Sequence, residues 1–147
     1  MDINKEKLMG FLNSCYKTIN NTFSNTYIDG NCYISATKGK FGIYIFKNSE
    51  QKIVYIGKGG TSRNSKGKDL YFRMKQELTS GNSHSTLSKN IMEVDSITEE
   101  ESKSIITDLN LSAILIGDKE INSKDSILQT EALENFLIAI YTPKYNK

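Results

Sequence analysis

Cysteine is nearly missing from this chain: Cys15 and Cys32 are the two present, and neither belongs to a CxxC spacing. That excludes a disulfide framework and favours two reduced thiols over a bridge or a thiolate metal cluster. Nowhere do 18 apolar residues follow one another, and the start, Met1-Asp2-Ile3-Asn4-Lys5-Glu6-Lys7, lacks the apolar stretch of a signal peptide. The expected location is cytoplasmic, with no membrane partner. Proline occurs once, at Pro143, and histidine once, at His84. Net charge is also small, +2 over 147 residues, so no overall excess of one sign announces a partner. With 24% charged and 37% hydrophobic residues, the composition is that of a folded chain long enough for one core.

The charges that are present are segregated. Between 52 and 75 stand Lys52, Lys58, Arg63, Lys66, Lys68, Arg73 and Lys75 against Asp69 alone. Between 93 and 108 stand Glu93, Asp95, Glu99, Glu100, Glu101 and Asp108 against Lys103 alone. The basic block follows a pair of β-branched and aromatic runs, Phe41 to Phe46 and Lys52 to Gly57, separated by the polar Lys47-Asn48-Ser49-Glu50-Gln51. Two antiparallel strands are the economical reading. If Asn48 to Gln51 form a four-residue loop, Tyr44 stands across from Tyr55, Gly42 from Gly57 and Phe46 from Ile53. All six then share one face, and Phe41, Ile43, Ile45, Val54 and Ile56 share the other. On the first face, two phenols lie beside two glycines where a missing side chain lets a ligand reach the backbone; two ordinary strand tyrosines are the alternative. An anionic polymer could lie along the basic block, which could equally be a solvated loop.

Other elements follow from period and capping. Leu8, Phe11, Leu12, Cys15 and Ile19 set an apolar stripe on a helix over 4–20, and residues 20–40 read as a connector, with Cys32-Tyr33-Ile34 a candidate strand. The run from Lys58 to Lys68 suits phosphate contacts but is not a Walker A loop, because its lysine precedes the glycine pair. Asp69 caps a helix carrying Leu70, Tyr71, Met74 and Leu78, which ends near Gly81. On it, Arg73 precedes Glu77 by four residues, the spacing of a surface ion pair. His84 lies in the first turn of a further helix capped by Asn82 or Ser83; there it is either a neutral imidazole near a phosphate or a plain surface residue. Residues 98–108 read as an acidic helix and Leu111–Gly117 as a third, buried strand. The closing helix, about 124–141, stops at Pro143. Leu133, Phe136, Leu137 and Ile140 make one apolar face. Ile127, Ile138 and Tyr141 make a second, within about 60° of Glu134. Such a helix should be covered on two sides, which leaves Glu134 enclosed and a candidate metal ligand, or else at the stripe's margin.

Gly42-Ile43-Tyr44 and Tyr55-Ile56-Gly57, with Arg73, Glu134 and Asn146 downstream in order, resemble the GIY-YIG nuclease superfamily. The segment from Ala132 to Ile138, followed by Pro143-Lys144-Tyr145-Asn146, is similar to the closing segment of its excision-repair members, and Gly81 to Thr86 to a segment of phage homing endonucleases. The resemblance spans about residues 41–146. It implies an α+β fold, a small three-stranded antiparallel sheet flanked by helices, preceded here by an N-terminal helical extension (1–40) to the nuclease-like part (41–147). It also implies DNA phosphodiester hydrolysis with one Mg²⁺ or Mn²⁺. Tyr44 would be the general base, Tyr55 would orient water or phosphate, Glu134 would hold the metal, Arg73 would stabilise phosphate charge, and Gly42, Gly57 and Asn146 would support the site. His84 is counted with the catalytic set, and Lys58, Arg63, Lys66, Lys68 and Lys75 with DNA binding. Phosphate contacts do not distinguish RNA from DNA, and high sequence specificity would call for a homodimer. A tyrosine base titrating near 10 needs a nearby cation to work at neutral pH. Glu77 departs from the family, many members of which have histidine or tyrosine there, so either Glu77 leaves the site or His84 takes its function. The alternative function is a binding module on the same fold with lapsed chemistry.

Overall fold

The computed structural model describes residues 4–10, 13, 37–61, 68–79, 84–119 and 124–147. The fold is α+β. Its sheet has three antiparallel strands, β1 (Lys40–Lys47), β2 (Ile53–Gly59) and β3 (Asn110–Asp118), in the order β2-β1-β3. Four helices follow the hairpin: α1 (Leu70–Thr79), α2 (Thr86–Asp95), α3 (Glu99–Thr107) and, after β3, α4 (Lys124–Tyr141). Residues 5–10 are also helical, with Leu8 and Met9 exposed. The rest of the expected 4–20 helix apart from residue 13, both cysteines and the candidate strand at 32–34 lie outside the described residues.

Both faces of the sheet are covered. Tyr44, Phe46, Val54 and Tyr55 pack with Leu70 and Met74 of α1, Leu87 and Ile91 of α2, and Ile106 of α3. On the other face Ile43, Ile45, Ile53, Ile56 and Ile114 pack with Leu133 and Leu137 of α4. The central strand is therefore buried from Phe41 to Phe46 without alternation, as a strand between two layers must be. The tyrosine face, expected to be open to a ligand, is mostly core.

The hairpin register differs from the sequence expectation. Tyr44 stands opposite Gly57, Gly42 opposite Gly59 and Phe46 opposite Tyr55. Two local events cause this. The turn closes between Asn48 and Lys52, whose carbonyl accepts from the Asn48 N–H (2.9 Å), with Gln51 at φ 64°; the Asn48 Oδ1 accepts from the amides of Glu50 and Lys52. Val54 is then an extra residue, since Lys47 pairs with Ile53 but Phe46 with Tyr55. Each event slips the register by one, and two slips restore parity, so Tyr44, Phe46, Tyr55 and Gly57 keep a common face. Ile53 and Val54 exchange faces.

Local signals account for the helices. Asp69 Oδ1 accepts from the Phe72 amide (2.8 Å) at the start of α1. The cap of α2 is Ser85, whose side chain accepts from the Ser88 amide, and not Asn82 or Ser83. Thr98 caps α3: its Oγ1 accepts from the Glu101 amide and donates to the Glu101 carboxylate. Helix α4 keeps its expected bounds, but its two-sided coverage does not hold: Leu133 and Leu137 are buried, whereas Leu128, Phe136, Ile140 and Tyr141 are exposed. Likewise β3 is buried from Leu111 to Ile114 and opens at Leu115. No described helix is long and apolar enough to cross a membrane.

Candidate active-site cleft

Tyr44 of β1, Tyr55, Gly57, Lys58 and Gly59 of β2, Gly60 and Thr61 beyond it, Lys68, Arg73 of α1 and Glu134 of α4 line one cleft of about 390 Å³. Each wall has a local cause. Gly57 lies under the Tyr44 ring, and a Cβ there would come within 2.3 Å of it. At Gly42 a Cβ would meet the Ile114 carbonyl oxygen at 2.0 Å, next to the β1–β3 register shift. The two glycines therefore make room for a phenol ring and a neighbouring strand, and Gly57 also lines the cleft. Gly59 plays a comparable part for α1, since a Cβ would touch Arg73 Cβ and Cγ at 3.1 Å. That close approach brings Arg73 over the end of β2. Arg73 Nη1 donates to Gln76 Oε1 (2.7 Å) rather than pairing with Glu77.

The two phenols are stacked aslant, with centroids 6.1 Å apart. Both are held against ionisation. Burial pushes the Tyr44 hydroxyl well above its usual value, the Glu77 charge adds to this, and the Arg73 guanidinium opposes it. Tyr55 is raised by burial and then by Glu77. Glu134, with a side chain 16% exposed, has its carboxyl raised by burial and lowered by Lys58.

Lys58 Nζ lies 3.5 Å from Oε1 of both Glu131 and Glu134. Among the described residues no three His, Cys, Asp or Glu gather as a ready metal cage. Glu134 is a hard oxygen donor facing the cleft beside cations suited to phosphate, which fits a Mg²⁺ that keeps most of its waters. Such an ion would share the carboxylate with Lys58.

No family model matches the chain, and no curated protein matches it.

Several expected residues fall elsewhere. His84 is exposed just before the α2 cap and does not line the cleft. Lys75 is on the outer side of α1, 6.0 Å from the Tyr71 ring centroid. Arg63 and Lys66 lie outside the described residues. Asn146 does not line the cleft but binds the strand behind it: its Oδ1 accepts from the Ile56 N–H and its Nδ2 donates to the Ile56 carbonyl, both at 2.8 Å.

Glu77 does not leave. It is 1% exposed, and it accepts from the Tyr44 hydroxyl (3.2 Å), Ser85 Oγ (2.8 Å) and the Leu87 amide (2.9 Å). Ser85 is missed by the sequence reading, and Glu77 is misplaced by it. The signal was available, because Leu70, Met74 and Glu77 are spaced four and three apart and share a helix face.

Proposed function

We propose that this chain is a divalent-metal-dependent DNA endonuclease of the GIY-YIG type. The observation that carries the reading is convergence: Tyr44, Tyr55, Lys58, Arg73 and Glu134, contributed by four elements and up to 90 positions apart, line one cleft. In this reading a DNA phosphate sits between Lys68, Arg73 and the end of β2, where the guanidinium offers paired donors to the oxygens on which charge develops. Tyr44 takes a proton from the attacking water, Tyr55 orients water or phosphate, and Glu134 holds the ion. When bound, a Mg²⁺ supplies Lewis-acid stabilisation of the phosphoryl oxygens.

A second reading, a nucleic-acid-binding module without chemistry, is favoured by the depth of Tyr44, 1% exposed, and by Lys58 beside the Glu134 carboxylate. One experiment separates the two. Plasmid incubated with the purified chain and Mg²⁺ is expected to be cut, and a chelator is expected to stop the cutting. Glu134→Ala should slow cleavage at least about a hundredfold, the loss of a few kcal/mol of transition-state stabilisation, with DNA affinity in chelator nearly unchanged. Full activity in that variant would remove the metal assignment, and an inert wild type that still binds DNA would favour the module.

A further inference from the structure

The carboxylate of Glu77 is buried beneath the cleft against three neutral donors: the Tyr44 phenol, the Ser85 hydroxyl and the Leu87 amide. Leaving a carboxylate there costs desolvation that a glutamine would largely avoid, its oxygen accepting from Ser85 and Leu87 and its amide donating to the Tyr44 oxygen, the reverse of the Glu77 contact. The position is therefore expensive for stability alone. Its geometry has a definite direction: Tyr44 donates its only proton to Glu77 Oε1. The phenol oxygen is thereby left with lone pairs for a donor arriving from the cleft. The charged and titratable groups around the pair are Tyr55 from β2 and Arg73 from α1, with no histidine or lysine bonded to either member among the described residues.

We infer that Glu77 is a positioning residue that turns Tyr44 into a proton relay, so that the phenol never has to ionise before the water attacks. This rests on the nuclease reading above. In the step, the water oxygen forms its bond to phosphorus while one water O–H breaks and that proton passes to the Tyr44 oxygen. Tyr44's own proton passes to Glu77 Oε1, which ends as a neutral carboxylic acid. The bond from phosphorus to the leaving oxygen breaks, and that oxygen takes a proton from solvent. Glu77 returns its proton through Tyr44 to bulk water once the product has left. Nothing is oxidised or reduced, and the relay starts and ends with a neutral phenol. This answers the difficulty posed by a base that burial holds well above its ordinary range.

The test compares wild type, Glu77→Gln, Tyr44→Phe and the double variant in single-turnover plasmid cleavage with Mg²⁺. DNA affinity is measured in chelator, and folding by urea denaturation. Glu77→Gln should fold at least as stably as wild type and bind DNA equally. Its cleavage should fall about a hundredfold near neutral pH, the size of a lost acid–base contribution. The deficit should shrink about tenfold per pH unit on going alkaline, because hydroxide then removes the phenol proton that Glu77 no longer accepts. In the Tyr44→Phe background the same change should add nothing, since the two act as one unit. Glu77→Gln cutting within about threefold of wild type, or a pH-independent loss that adds to that of Tyr44→Phe, would overturn the relay while leaving the nuclease reading standing. A wild type that makes no Mg²⁺-dependent cut would overturn both.

Discussion

Tyr44 and Tyr55 show how one residue type takes its character from its surroundings. Unperturbed phenols ionise near 10; here burial dominates and the Glu77 charge adds to it, so the folded state holds both phenols neutral past that point. The sign of the linkage follows. Below about pH 10 both folded and unfolded forms are protonated and the phenol contributes no pH dependence; above it the unfolded phenol ionises first, and stability is lost as pH rises toward the folded value. Each such tyrosine contributes a slope of about 1.4 kcal/mol per pH unit in that window. Urea denaturation at about pH 9 and at about pH 11 should therefore show Tyr44→Phe losing about 1.4 kcal/mol less over that interval than wild type. Equal slopes would mean that Tyr44 is not shielded as described. Tyr44's place in a strand was legible from the sequence. Its partner was not, because Glu77 is 33 positions away and enters only when α1 packs on the sheet.

At the scale of elements, the outer edge of β2 illustrates how a short terminal segment can complete a sheet. The Val54 carbonyl accepts from the Tyr145 amide (2.9 Å), and Asn146 meets both backbone groups of Ile56 with its side-chain amide, standing in for a peptide of a fourth strand. The segment is itself tied down: the Tyr145 hydroxyl donates to Asp95 (2.7 Å), Lys144 pairs with the same carboxylate, and Lys147 pairs with Glu93. Ile56 lies between Tyr55 and Gly57, so this edge holds the cleft wall in place. Asn146→Ala leaves the part-buried Ile56 N–H and C=O without their partner, and should cost about 1–3 kcal/mol. The Ile56 amide should also exchange its hydrogen markedly faster. Unchanged protection would show that the edge is satisfied without Asn146. The order of elements and most of their bounds could be read locally, from β-branched runs, apolar period and the Asp69 cap. The register could not, since it depended on an Asn48 turn and a Val54 bulge that each shift it by one.

For the molecule as a whole, the small net charge conceals a sorted one. Lys58, Lys68 and Arg73 face the cleft, while the acidic first turn of α3, Glu99 to Glu101, belongs to the layer on the tyrosine face. If the cleft holds a DNA backbone, affinity should fall steeply between about 50 and about 200 mM salt, and replacing Lys68 and Arg73 together by alanine should reduce the log–log slope by about two, one for each phosphate no longer neutralised. Binding measured in chelator by fluorescence anisotropy on a short duplex would check this. A slope unchanged by the double substitution would place the DNA elsewhere on the surface.

By itself the sequence determined the vocabulary of this protein: three strands, the helices and the Asp69 cap, a basic stretch after a tyrosine hairpin, and the positions of Tyr44, Tyr55, Arg73 and Glu134. Those are properties of short windows, in which period, turn chemistry and caps act between near neighbours. Only the tertiary structure decided that the glycines make room for a phenol and a strand, that Phe136 and Ile140 of α4 stay exposed, that His84 stays outside, and that Glu77 turns inward to Tyr44. These outcomes depend on which surfaces meet when distant segments pack. Amphipathic period shows that α1 has an apolar face, and that Glu77 shares it with Leu70 and Met74, but not which partner covers that face.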